Sequence, residues 1–93
     1  MRFSSYGAFV AVMGYSSADS SVIDRGGNSV WRASQNGNVC RFICDGSVGV
    51  TVCQSKYGSI GYVWNSGGAH GWNGPFGSAN EAMGHADKFV FGD

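Results

Sequence analysis

Proline occurs once in the 93 residues, and charge is scarce. Asp, Glu, Lys and Arg together make 13% of the chain, six acidic against six basic, so the net charge is zero. Globular domains usually carry about 25% charged residues. Such neutrality argues against a protein whose main partner is nucleic acid or an anionic membrane surface, since both select cations. No run approaches the roughly 20 apolar residues of a membrane-spanning helix. The three cysteines are an odd number. A closed disulfide framework is therefore excluded, because one pair at most leaves a thiol over. The glycine-rich stretch "SGGAHGWNG", residues 66 to 74, lacks the Gly-Lys-Ser/Thr ending of a phosphate-binding loop and its basic residue. It reads as a flexible connection.

What is present is apolar and aromatic. Hydrophobic residues make 43% of the chain and aromatics 14%, enough for a packed interior. The length suits one domain, residues 1 to 93. Sixteen glycines with many Val, Ile, Tyr and Trp describe strands joined by tight turns. The first residues, "MRFSSYGAFVAVMGYSSAD", are apolar at both parities from Phe3 to Tyr15. That pattern predicts a strand covered on both faces. The alternative is a secretory signal cleaved near Ala18, which would make this a secreted protein able to pair Cys40 with Cys53.

The clearest local signal is a hairpin. "SVWRAS" and "VCRFICD" flank "QNGN", and Asn-Gly is the strongest two-residue turn signal because both central residues take positive φ. With Asn36 and Gly37 at the tip, Trp31 faces Phe42, Ala33 faces Cys40, and Arg32 faces Arg41. A second turn at Asp45-Gly46 leads into "SVGVTVCQS", and "SIGYVWN" follows the Tyr57-Gly58 break. One face of this meander then carries Trp31, Ala33, Cys40, Phe42, Cys44, Thr51 and Cys53, an apolar set suited to the core. The other mixes Val50 and Val52 with Arg32 and Arg41 and suits solvent. Two arginines side by side repel mildly, which hints at an acidic or nucleic-acid partner.

"GWNGPFGSANEAMGHADKF", residues 71 to 89, reads as turn, cap and helix. Gly74, Pro75 and Gly77 make the turn. Ser78 with Glu81 forms a capping box. Ala79, Ala82, Met83, Ala86, Phe89 and Val90 recur at helical spacing, and the small ones permit close approach to a sheet. The expected fold is α+β: an antiparallel sheet of four to five strands with one C-terminal helix packed on one face. Within this stretch Trp72, Gly74, Phe76, Ser78, Ala79, Glu81, Ala82 and Asp87 resemble the last strand, turn and helix start of the ethylene-response-factor and integrase-type DNA-binding domains. The resemblance covers residues 72 to 87 and implies a sheet face that reads DNA with arginines, here Arg32 and Arg41. That family is strongly basic, and this chain departs from it in being neutral.

No catalytic constellation is visible. A cysteine nucleophile needs a histidine within hydrogen-bond reach, and no spacing brings Cys40, Cys44 or Cys53 to His70 or His85. Two cysteines four apart on one strand do not make the tight knuckle of a metal site. The expectation is a non-enzymatic protein without cofactor or metal. Tyr62, Trp64, His70, Trp72 and Phe76 surround the glycine-rich connection, and aromatics there are typical anchors of protein interfaces. In size, neutrality and lack of catalytic groups the chain is similar by type to phage-encoded single-domain inhibitors of host defence, such as anti-CRISPR proteins. That likeness implies a protein partner in the host cytoplasm, no membrane, and inhibition by steric blocking.

Overall fold

The computed structural model describes residues 22–23, 29–34, 37–54, 57–67 and 69–93, with the backbone alone at 69 and 70. The expected strand from Phe3 to Tyr15 and the cleavage point near Ala18 lie outside the described residues. Five strands follow one another as an antiparallel meander: β1 (Arg32–Ala33), β2 (Val39–Ile43), β3 (Val48–Gln54), β4 (Ile60–Ser66) and β5 (Ala69–Phe76). A single α-helix among the described residues, α1 (Ala79–Phe89), follows the sheet and packs on it. The fold is α+β, as expected.

The first hairpin departs from the Asn-Gly reading by one residue. Arg32 pairs with Cys40 and Ala33 with Val39. Ser34 N–H donates to Asn38 O at 2.7 Å, Gly37 N–H donates to Ser34 O at 3.0 Å, and Gly37 has φ +80°. This is a three-residue loop ending in a left-handed glycine, which hairpins use nearly as readily as the two-residue turn. Side chains alternate with period two, so the slip moves every β1 residue to the other face. Arg32 therefore shares a face with Cys40, and Trp31 does not face Phe42.

The β2–β3 turn keeps the expected Asp45-Gly46 centre. Asp45 (φ 54°) and Gly46 (φ 91°) both take left-handed φ, and Ser47 N–H donates to Cys44 O at 3.1 Å. Buried Asn65 on β4 donates to the carbonyls of Gly46 (3.3 Å) and Ser47 (2.9 Å), holding the turn from the neighbouring strand. Cys40 and Phe42 share a face with Thr51 and Cys53, as expected. Cys44 leaves it, standing exposed in the turn.

The helix covers the face expected to meet solvent. Val50, Val52 and Tyr62 form the main core with Ala82 and Ala86 of α1. The opposite face is buried too, with Cys40 and Phe42 packed against Val22 and Ile23. Five consecutive residues of β3, Gly49 to Cys53, are buried, as befits a central strand covered on both sides.

Candidate functional site

The position of α1 follows from its cap and its alanines. Ser78 is the N-cap; its hydroxyl accepts from Glu81 N–H at 3.2 Å, while the Glu81 carboxylate accepts from Gly77 N–H at 2.8 Å. The capping box thus forms with its return bond one residue earlier than usual. Ala82 and Ala86, wholly buried, bring the helix axis close to β3 and β4. Gly84 is exposed with open space around it, so it is a tolerated weakness rather than a packing device.

Along the β4–β5 side of the helix the aromatic rings make a continuous strip. Tyr62 stacks on Phe76 at 5.9 Å between centroids, and Phe76 meets His85 at 5.1 Å. His85 stacks on Phe89 at 5.6 Å, and Phe89 meets Trp64 edge-on at 5.5 Å. Tyr62 forms the buried floor. Phe89 forms the crest and is 57% exposed despite its two ring contacts.

Below the strip the Tyr62 hydroxyl joins two side chains. Asn73 Nδ2 donates to it at 3.1 Å, and His85 Nδ1 lies 2.7 Å away. Burial pushes the Tyr62 hydroxyl up to about 12, with the Asn73 donor pulling it the other way. It is a neutral phenol at physiological pH and a poor acid.

β5 replaces the flexible connection expected at residues 66 to 74. Its glycines leave room for rings that lie across them: a Cβ on Gly71 would stand 2.8 Å from Trp64 Nε1, and a Cβ on Gly61 would meet the Trp72 ring and stand 2.5 Å from Asn73 O. Trp64 pairs with Gly71 and Val63 with Trp72, so the two tryptophans occupy opposite faces. Trp64 belongs to the helix side, and Trp72 to the Cys53 side.

Arg41 belongs to a separate cluster at the helix's other flank. Its Nη1 donates to Asp87 Oδ1 at 2.8 Å and Asp93 Oδ2 at 2.7 Å, and its guanidinium lies 4.2 Å from the Phe91 ring centroid. Trp31 Nε1 donates to the same Asp87 oxygen at 2.9 Å. Burial lowers the Arg41 pKa, but the hydrogen bonds and charges of Asp93 and Asp87 outweigh it and leave the guanidinium above its ordinary value. The arginine expected to read a partner is thus neutralised within the fold, and Arg32 stands on the opposite face.

Cys40 and Cys53 are not joined by a disulfide. Cys40 lies opposite Thr51 and donates to its hydroxyl at 3.5 Å; Cys53, one diagonal step away, donates to Thr51 O at 3.7 Å. Among the described residues no three His, Cys, Asp or Glu side chains gather as a metal site. No helix there is long and apolar enough to cross a membrane.

Of the five aromatic residues singled out in the sequence, Tyr62, Trp64 and Phe76 come together, and Trp72 points away from them. For His70 the backbone pairs with Asn65, while its side chain lies outside the described residues. His85, Phe89 and Asn73 complete the strip without being among the residues the sequence marks for a site. A signal for the first two exists: they lie four apart, one helical turn, beside the buried Ala82–Ala86 stripe. The chain matches no family model, no curated protein and no solved structure.

Proposed function

We propose that this is a small non-enzymatic protein that binds another protein through the aromatic strip of Trp64, Phe76, His85 and Phe89, acting by steric blocking. The observation that carries the reading is Phe89, a phenylalanine more than half exposed yet held between Trp64 and His85. A ring pre-ordered by neighbours loses little conformational freedom on docking and desolvates a large area, which is the character of an interface hot spot. Exposed Glu81 and Lys88 flank His85 on the helix, giving the apolar strip a charged rim. An inhibitor of a host defence complex, carried by a phage or mobile element, is the kind of protein this describes. The neutralised Arg41 lends no support to a nucleic-acid interface on paired arginines.

The test is retention from a lysate of the native host, with and without nuclease and at low and moderate salt, using tagged wild type and Phe89→Ala. We expect one protein retained by wild type at both salts and lost by the variant, with an unchanged melting temperature. Equal retention by both chains removes the strip from the interface. Recovery only without nuclease and only at low salt replaces the reading with nucleic-acid binding.

A further inference from the structure

The Tyr62 hydroxyl sits between a group that only donates and a group that can do either. Asn73 Nδ2, at 3.1 Å, is a donor, so the phenol oxygen accepts from it. The phenol proton then goes to His85 Nδ1 at 2.7 Å. That makes Nδ1 the acceptor nitrogen and places the hydrogen of the neutral imidazole on Nε2.

Protonation of His85 reverses this order. The added proton resides on Nδ1, and both ring nitrogens become donors. Nδ1–H donates to the phenol oxygen, and the phenol proton swings toward Asn73. It meets an acceptor there only when the Asn73 amide turns over and presents Oδ1 in place of Nδ2. We propose that Asn73, Tyr62 and His85 form a two-state hydrogen-bond relay whose direction is set by the protonation of His85. In the neutral state it runs from Asn73 through Tyr62 to His85, and in the acid state from His85 through Tyr62 to Asn73. The phenol donates and accepts in both states, and the one heavy-atom change is a half-turn of the Asn73 amide.

The surroundings let the relay govern the switch. β4 presents the neutral Tyr62 hydroxyl to the imidazole, and β5 presents Asn73 and the Phe76 ring. On the helix, Phe89 stacks on the ring; Glu81 stands one turn before it, its carboxylate engaged by Gly77 N–H, and Lys88 three residues after it. The charged neighbours are thus one of each sign, both exposed. A protonated His85 puts a positive charge at the centre of the aromatic strip, so a partner that buries His85 binds the protonated form less tightly. That consequence rests on the interface reading, and the relay itself does not.

The test needs no partner. The full chain, labelled with ¹⁵N, is followed by NMR across a pH titration, with His85→Gln used to assign the His85 ring signals. We expect the neutral ring to be the Nε2–H tautomer, and the Asn73 side-chain amide signals to shift with the same midpoint as His85. In Tyr62→Phe the Asn73 shift is lost while His85 still titrates. A neutral Nδ1–H tautomer in the wild type overturns the relay, as does an Asn73 amide that stays still while His85 titrates. Both of these results come from the wild type, so they decide the matter even where a variant folds poorly. A relay that holds in a chain whose partner binding ignores pH removes the interface reading and keeps the relay.

Discussion

Asp87→Ala takes from helix α1 one oxygen that serves two donors, Trp31 Nε1 at 2.9 Å and Arg41 Nη1 at 2.8 Å. The Arg41 side chain is only 13% exposed, and its Nε is buried without a hydrogen-bond partner, so the guanidinium depends on the carboxylates at Nη1. A hydrogen bond to a charged group contributes about 1.5–3 kcal/mol, and stranding a buried charge costs more than the bond itself. Asp93 remains at 2.7 Å and offsets part of that loss. The expected destabilisation is about 2–3 kcal/mol. Asp87→Asn keeps an acceptor for Trp31 and loses the ion pair, for about 1 kcal/mol. Asp93→Asn touches a side chain 55% exposed and costs about 0.5 kcal/mol or less. Urea unfolding followed by far-UV circular dichroism reads these losses as shifts in midpoint at constant slope, the largest about 1 M or more. In about 1 M salt the Asp93→Asn effect shrinks, because counterions compete for the half-exposed carboxylate. The Asp87→Ala effect persists, since the Trp31 bond is lost at any salt. An Asp87→Ala loss below about 0.5 kcal/mol, less than one ordinary hydrogen bond contributes, refutes the placement of α1 over the Arg41 face. So does an Asp93→Asn loss that exceeds it.

Gly84→Ala is expected to stabilise the protein by about 0.5–1 kcal/mol, the helix-propensity difference, because an added Cβ at that site meets nothing within 4 Å. Thermal unfolding checks it, and a destabilised variant contradicts the open surroundings. Gly61→Ala is expected to cost about 3 kcal/mol or more, above the usual range for overpacking, since its Cβ meets backbone oxygen as well as the Trp72 ring. Gly71→Ala, whose nearest obstacle is the Trp64 side chain and not backbone, costs about 1–2 kcal/mol; urea midpoints that reverse this order are incompatible with the β4–β5 register. Tyr62 holds its proton up to about pH 12 in the fold against about 10 in the unfolded chain. Its contribution is therefore complete below about pH 10 and is lost between about 10 and 12 as the unfolded state ionises first. Tyr62→Phe removes that part of the alkaline decline in stability, measured by urea midpoints across the interval.

Capping, helical spacing and hairpin signals act within a few residues, and each is legible in the sequence. Ser78 and Glu81 cap α1 through bonds to their own turn, and no distant contact is needed to create them. Asp45-Gly46 centres a turn in which Cys44, Asp45 and Gly46 all take positive φ, a conformation that Asp and Gly accept more readily than most residues. The run from Ile60 to Ser66 is a strand for the reason its β-branched and aromatic residues suggest. The site is legible in part. Tyr62, Trp64 and Phe76 stand where aromatic content points, but their neighbours His85 and Phe89 come from an element 9 to 13 residues beyond Phe76.

Two features depend on contacts between distant segments. Asn36-Gly37 suits a loop of two residues or of three, and one residue separates a sheet that sets Arg32 beside Arg41 from one that sends them to opposite faces. The face that the helix covers is chosen by Val50, Val52, Ala82 and Ala86, which form a core only when the helix lies on them. It is chosen also by Asp87 and Asp93, which neutralise the arginine carried onto that face. Residues 66 to 74 look like a loop because glycine has no side chain to pack, and an isolated strand of such composition is weak. Trp64 supplies the missing surface above Gly71 from the adjoining strand, and Trp72 does so above Gly61. Strand character there is a property of the pair, and a reading along one chain segment has no access to it.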